Sequence, residues 1–252
     1  MRKIMKNQVL HAVLWILIYV VIVNIGDFLS EVLKAPYVTA ICVSLLSLFL
    51  ILYLIITKTT LTHLSKDNSK RSHSIILYLP LVVIGLIQLV KGIDQSNDWK
   101  TLLTIIVLMM GVGFIEEIIF RGFLLKGIQA KSNITKAIII SGATFGIGHI
   151  VNLSRGYGYD ELIAQIIVAI AIGFILAMIV VLTNRLLPGI IFHVVFNVLG
   201  SITIENQKTE FYLLIAILVI AIPYGIYLYH QIKQKRISEF NTVTVNPVET
   251  TI

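Results

Sequence analysis

Three charged residues sit together in an otherwise apolar run. Between Gly111 and Gly122 the chain reads Gly-Val-Gly-Phe-Ile-Glu-Glu-Ile-Ile-Phe-Arg-Gly, which places Glu116, Glu117 and Arg121 there. In a helix Glu117 and Arg121 stand at i and i+4, acid before base, so they can neutralise each other. Glu116 points about 100° away around the helix. It is left without a partner of its own and is a candidate general base. The alternative is a helix end whose charges snorkel to water. Two histidines follow in apolar sequence, in Phe145-Gly-Ile-Gly-His149 and in His193-Val-Val-Phe-Asn197. His193 and Asn197 are one turn apart and face the same way, so their hydrogen-bond donors can converge on one point. Phe145, one turn from His149, is predicted to pack against it and orient it. A lone histidine in such a setting is more often a helix-to-helix hydrogen bond than a catalyst. Two histidines, an asparagine and a spare glutamate in one bundle weigh against that reading.

The elements that carry these groups are membrane spans. Of the 252 residues 57% are hydrophobic and 13% charged, against roughly 25% charged in a soluble domain. The apolar residues fall in long runs, and a bilayer crossing takes about 20 of them. Helices are predicted near 9–29, 36–57, 75–93, 100–125, 137–152, 162–183, 187–203 and 211–230. The fold class is therefore all-α: a polytopic transmembrane bundle of about eight spans. Residues 1–230 form one membrane domain with the motif core at about 100–200, and 231–252 are expected to be a disordered cytoplasmic tail. The first apolar run is too long for a cleaved secretory signal, whose apolar region spans only ~7–15 residues.

Charge sets an orientation. Fourteen Lys and Arg fall in the N-terminus, the 58–74 loop, the loop after the fourth helix, Arg185 and the tail, against five in the alternate connections (Lys34, Lys91, Lys100, Arg155, Lys208). Cytoplasmic segments carry the excess, so both termini are expected in the cytoplasm. The net charge of +7 fits this topology rather than a nucleic-acid partner, because no basic cluster is interleaved with aromatics. Cys42 is the only cysteine and forms no intrachain disulfide. Gly142 and Gly146 stand at a spacing that lets a neighbouring helix approach closely.

The motifs Glu116-Glu117-x-x-x-Arg121, Phe145-x-x-x-His149 and His193-x-x-x-Asn197, in that order on three spans, resemble those of the CAAX protease and bacteriocin-processing (CPBP, or Abi) family, which includes the type II CAAX prenyl endopeptidases. The resemblance implies hydrolysis of a peptide bond of a membrane-associated peptide or protein, in a bacterial cell membrane, at a site open toward the cytoplasm. It implies that Glu116 activates water with His149, that His193 and Asn197 stabilise the oxyanion, and that Glu117 and Arg121 support the site. No cofactor is expected to be required. The alternative is zinc held by Glu116, His149 and His193, although the helical His-Glu-x-x-His pattern is absent. Competing readings are a non-catalytic bacteriocin immunity protein or membrane scaffold of the same fold, and an ion-coupled transporter. The last would show inverted repeats or broken helices, and the sequence shows neither.

Overall fold

The computed structural model of the protein describes residues 7–57 and 75–245. Eight helical segments follow one another. They are α1 (Gln8–Leu33), α2 (Val38–Ile56), α3 (Leu79–Leu86), α4 (Trp99–Glu117), α5 (Ile134–Gly148), α6 (Tyr159–Thr183), α7 (Leu187–Ile202) and α8 (Gln207–Val245). Tight 3-10 turns extend α3 on both sides, Ile75–Tyr78 and Ile87–Lys91, and α5 runs on into a 3-10 segment, His149–Arg155. Helix α4 continues as a π-helix, Ile118–Leu125, and ends in an α-helical turn, Lys126–Gln129. The boundaries follow local chemistry. Asn7, Asp98 and Asn133 cap α1, α4 and α5 by accepting a backbone N–H from the first turn, which satisfies a donor that the helix itself leaves orphaned. Accepting the Thr101 N–H also holds the Asp98 carboxyl below the ordinary carboxylate range.

Six helices are long and apolar enough to cross a membrane, and two further apolar helices, Ile75–Lys91 and Leu187–Ile202, are shorter. The molecule is an integral multi-pass membrane protein, an all-α bundle of about eight helices as the apolar runs predict. Its outer faces carry exposed apolar side chains such as Leu17, Leu45, Val90 and Val219, which only lipid can cover favourably. Among the described residues the one β pairing is an isolated bridge, Ile93 with Thr203, which ties the end of α3 to the end of α7.

Helix α4 is the axis of the bundle. Its first half packs on α2 and α7, and its π-helical part on α1, α5 and α6. Seven of the eight π-helical residues are buried. The α5–α6 crossing has backbone against backbone: a Cβ on Gly146 would lie 2.7 Å from Ile170 N, and one on Gly142 would lie 2.9 Å from Phe174 N. The small-residue spacing in α5 thus serves packing.

The eighth helix departs from expectation. It runs through Val245, past Gln231, where an unstructured tail is expected. The added turns are anchored, with Ile232 buried, the Lys235 ammonium donating to the Leu182 carbonyl at 3.1 Å and Lys233 lying over the Tyr229 ring. Residues 246–252 of the expected tail lie outside the described residues, as do the N-terminal basic residues and the 58–74 connector.

Candidate active site

Glu117 and Arg121 are both 0% exposed, and the Arg121 Nη1 donates to Glu117 Oε1 at 2.8 Å. Snorkelling to water is thereby ruled out, and the pair neutralises itself inside the bundle. The π-helix begins one residue beyond Glu117, and such insertions in α-helices recur at functional sites. The arginine is held further by the Phe145 ring, 4.3 Å from its guanidinium carbon, and by the Gly173 carbonyl, which accepts from Nη2 at 3.4 Å. Two buried atoms of the pair, Glu117 Oε2 and Arg121 Nε, have no hydrogen-bond partner among the described residues.

Helix α7 brings His193 onto this pair. A Cβ on Gly113 of α4 would lie 3.1 Å from Val194 N, so α4 and α7 approach closely one residue from His193. The imidazole lies between the two glutamates. Its Nδ1 hydrogen-bonds Glu117 Oε1 at 3.1 Å, and its Nε2 stands 3.2 Å from Glu116 Oε2. Glu116 is fixed from the other side by Tyr19 of α1, whose hydroxyl donates to Oε1 at 2.8 Å.

Phe145 is the shared wall. Its ring meets Phe120, His149 and His193 edge-on, with centroids 5.3 to 5.4 Å away. The predicted contact of Phe145 with His149 is therefore present, and the same ring also positions His193. His149 ends α5, with its Nδ1 3.2 Å from the Phe145 carbonyl, and lines the same cavity as Glu116 and His193. Asn197, one turn beyond His193, lines the same cavity and makes no hydrogen bond among the described residues. Gln88, in the 3-10 turn after α3 and 8% exposed, is a second uncommitted carboxamide on that wall.

Four of the predicted residues, Glu116, Glu117, Arg121 and His193, thus touch one another in a chain of contacts. His149 and Asn197 share the cavity without touching them through a hydrogen bond. Tyr19 and Gln88 were not anticipated. A tyrosine and a glutamine in apolar runs carry no motif, and their only signal is a polar tip where lipid offers no partner.

Among the described residues no three His, Cys, Asp or Glu side chains are grouped to hold a metal ion. The Nδ1 atoms of His149 and His193 face a carbonyl and a carboxylate, so each ring presents its Nε2 to the site.

The cavity has a volume of about 2360 Å³. It is lined by residues 16–31 of α1, 108–120 of α4, 192–201 of α7 and 208–217 of α8. On α1, α7 and α8 these stretches reach from mid-helix to one end of the bundle, the end where α1 finishes and α8 begins, while α4 lines the cavity with its middle. The other end is filled by Leu124, Leu125, Ile179, Leu182 and Leu186, all buried. The cavity therefore lies toward the end of the bundle opposite the start of α1 and the end of α8.

Residues 98–199 match the family model described as Type II CAAX prenyl endopeptidase Rce1-like. That stretch contains all six site residues named from the sequence. Residues 6–119 match a second model, TMEM128 protein. No curated protein and no solved structure matches the chain. The class is a multi-pass membrane protein, and within it the motif-bearing segment is similar to the CAAX-type intramembrane proteases.

Proposed function

We propose that the protein is an intramembrane endopeptidase that hydrolyses a peptide bond of a membrane-associated peptide or protein, with Glu116 as general base. The observation that carries this reading is the placement of His193 between Glu117 and Glu116, on a cavity wall that also presents Asn197. Glu116 accepts a proton from water as the water oxygen bonds to the carbonyl carbon. His149, nearby on the wall, helps to hold that water. The carbonyl becomes an oxyanion, which takes hydrogen bonds from His193 Nε2 and the Asn197 amide, the kind of fixed donors that stabilise such a charge. In that role the Nε2 hydrogen turns from Glu116 Oε2, which Nε2 faces at 3.2 Å, to the oxyanion. When the C–N bond breaks, Glu116 returns its proton to the departing amine. Glu117 and Arg121 hold His193 in register and do not touch the reacting atoms.

The test compares peptide termini in membranes containing the wild-type chain with those containing Glu116→Gln at equal abundance. Termini present only with the wild type support the reading and define the cleavage site. Identical termini in both, with the purified wild type inert toward peptides, would leave the non-catalytic scaffold as the better account.

A further inference from the structure

The direction in which the cavity opens can be combined with the charge of the two ends of the bundle. The lined stretches of α1, α7 and α8 converge on the end of the bundle whose connections carry five basic residues, Lys34, Lys91, Lys100, Arg155 and Lys208. The closed end carries seven among the described residues, Lys126, Lys131, Lys136, Arg185, Lys233, Lys235 and Arg236. The basic-rich end of a membrane protein faces the cytoplasm, because Lys and Arg near span ends resist translocation. We infer that the active-site cavity opens on the non-cytoplasmic face of the membrane, and that its substrate is a peptide segment lying on, or exported to, that face.

The fold gives this opening a built rim. Arg155 pairs with Asp27 at 2.8 Å across α5 and α1, and Lys91 pairs with Glu210 at 2.9 Å across α3 and α8. The bridge between Ile93 and Thr203 closes the gap between α3 and α7. From this rim the wall descends past Ser201 and Asn197 to His193 on α7, and past Asp27 and Asn24 to Tyr19 on α1. No lining residue comes from the last turns of α4 or from the α4–α5 connection. A peptide therefore reaches Glu116 from the face opposite to that connection.

This assignment rests on the endopeptidase reading only for calling the incoming chain a substrate. The side of the opening is tested without any cleavage. In the full-length protein with Cys42→Ser, single cysteines are introduced by Tyr159→Cys at the rim, Ser201→Cys inside the cavity and Lys131→Cys at the closed end. Intact cells are then treated with a membrane-impermeant maleimide. Labelling of the Tyr159→Cys and Ser201→Cys proteins in intact cells, with Lys131→Cys labelled only after permeabilisation, is the expected result. The reverse pattern overturns the inference, and so does a Ser201→Cys protein that stays unlabelled from both faces while Tyr159→Cys reacts. If the labelling is as expected but no peptide added to that face is cleaved by the wild type, the endopeptidase reading fails and the direction of the opening stands.

Discussion

Tyr19 of α1 and Glu116 of α4, 97 residues apart in the chain, are joined by a hydrogen bond of 2.8 Å from the phenol hydroxyl to Oε1. This bond leaves Oε2 to face His193, so one carboxylate oxygen is anchored and the other is directed at the cavity wall. Tyr19→Phe removes the anchor and keeps the ring. A hydrogen bond to a charged group contributes roughly 1.5–3 kcal/mol, so cleavage per folded molecule should fall about tenfold or more. Glu116→Gln removes the base itself, with an expected loss of ~10²–10⁴ and unchanged monodisperse yield in detergent. Equal activity of Tyr19→Phe and wild type would show that the hydroxyl does not position the carboxylate.

Glu117 and Arg121 stand in a different relation to the fold. Glu117→Gln leaves a buried guanidinium without its counter-charge, and breaking such a pair costs about 3–5 kcal/mol. Folded yield should drop along with activity. The double variant Glu117→Gln, Arg121→Gln should recover folded protein but not cleavage, because the group facing His193 Nδ1 loses its charge. Glu117→Gln that folds normally but is inert, beside an active Glu116→Gln, would exchange the roles of the two glutamates.

The α5–α6 crossing predicts a contrast between two glycines two residues apart. A Cβ at Gly146 would press on the Ile170 backbone, whereas one at Gly148 would meet nothing within 4 Å. Overpacking typically costs about 1–3 kcal/mol. Gly146→Ala should lower the thermal midpoint by several degrees, and Gly148→Ala should leave it unchanged. Because Gly146 is one residue from Phe145, the first variant should also lower activity per folded molecule.

The rim predicts charge selectivity. Among the described residues seven acidic side chains line the cavity but only three basic ones, and two of those three, Lys91 and Arg155, are paired with rim acids. Synthetic peptides flanked by lysine should show lower KM than glutamate-flanked versions of the same core. The difference should shrink as ionic strength rises, since salt screens exposed charges. Equal KM for both peptides at low salt would remove the rim from substrate selection.

What the sequence made legible was what depends on near neighbours in the chain. The Glu117–Arg121 pair follows from helical spacing, the eight helices follow from runs of apolar residues, and the contact of Phe145 with His149 follows from one turn of helix. The bridging of His193 between two glutamates was not legible, because it depends on how closely α4 and α7 approach at Gly113. Nor was the π-helix after Glu117, since its residues read as any apolar run. The continuation of α8 past Gln231 did leave a signal that the polar composition masked: Gln, Lys, Arg and Glu are good helix formers. The direction of the opening stayed hidden because periodicity identifies a buried face of a helix, not which end of that face is wet.

The two short helices have a mechanical consequence for the lipid around them. Helix α7 has 16 residues, about 24 Å at the usual rise, against a hydrocarbon thickness of ~30 Å. It packs beside α3, and both show apolar side chains outward, Val82 and Val90 on α3 and Ile191 on α7. Local thinning of the bilayer would relieve the hydrophobic mismatch there. Head groups and water would then be drawn toward the flank of the protein that carries His193, and a polar peptide backbone would cross a shallower slab of hydrocarbon on that side than elsewhere. Lipids of shorter acyl chain should accordingly raise thermal stability after reconstitution, and stability that increases steadily with chain length would contradict this.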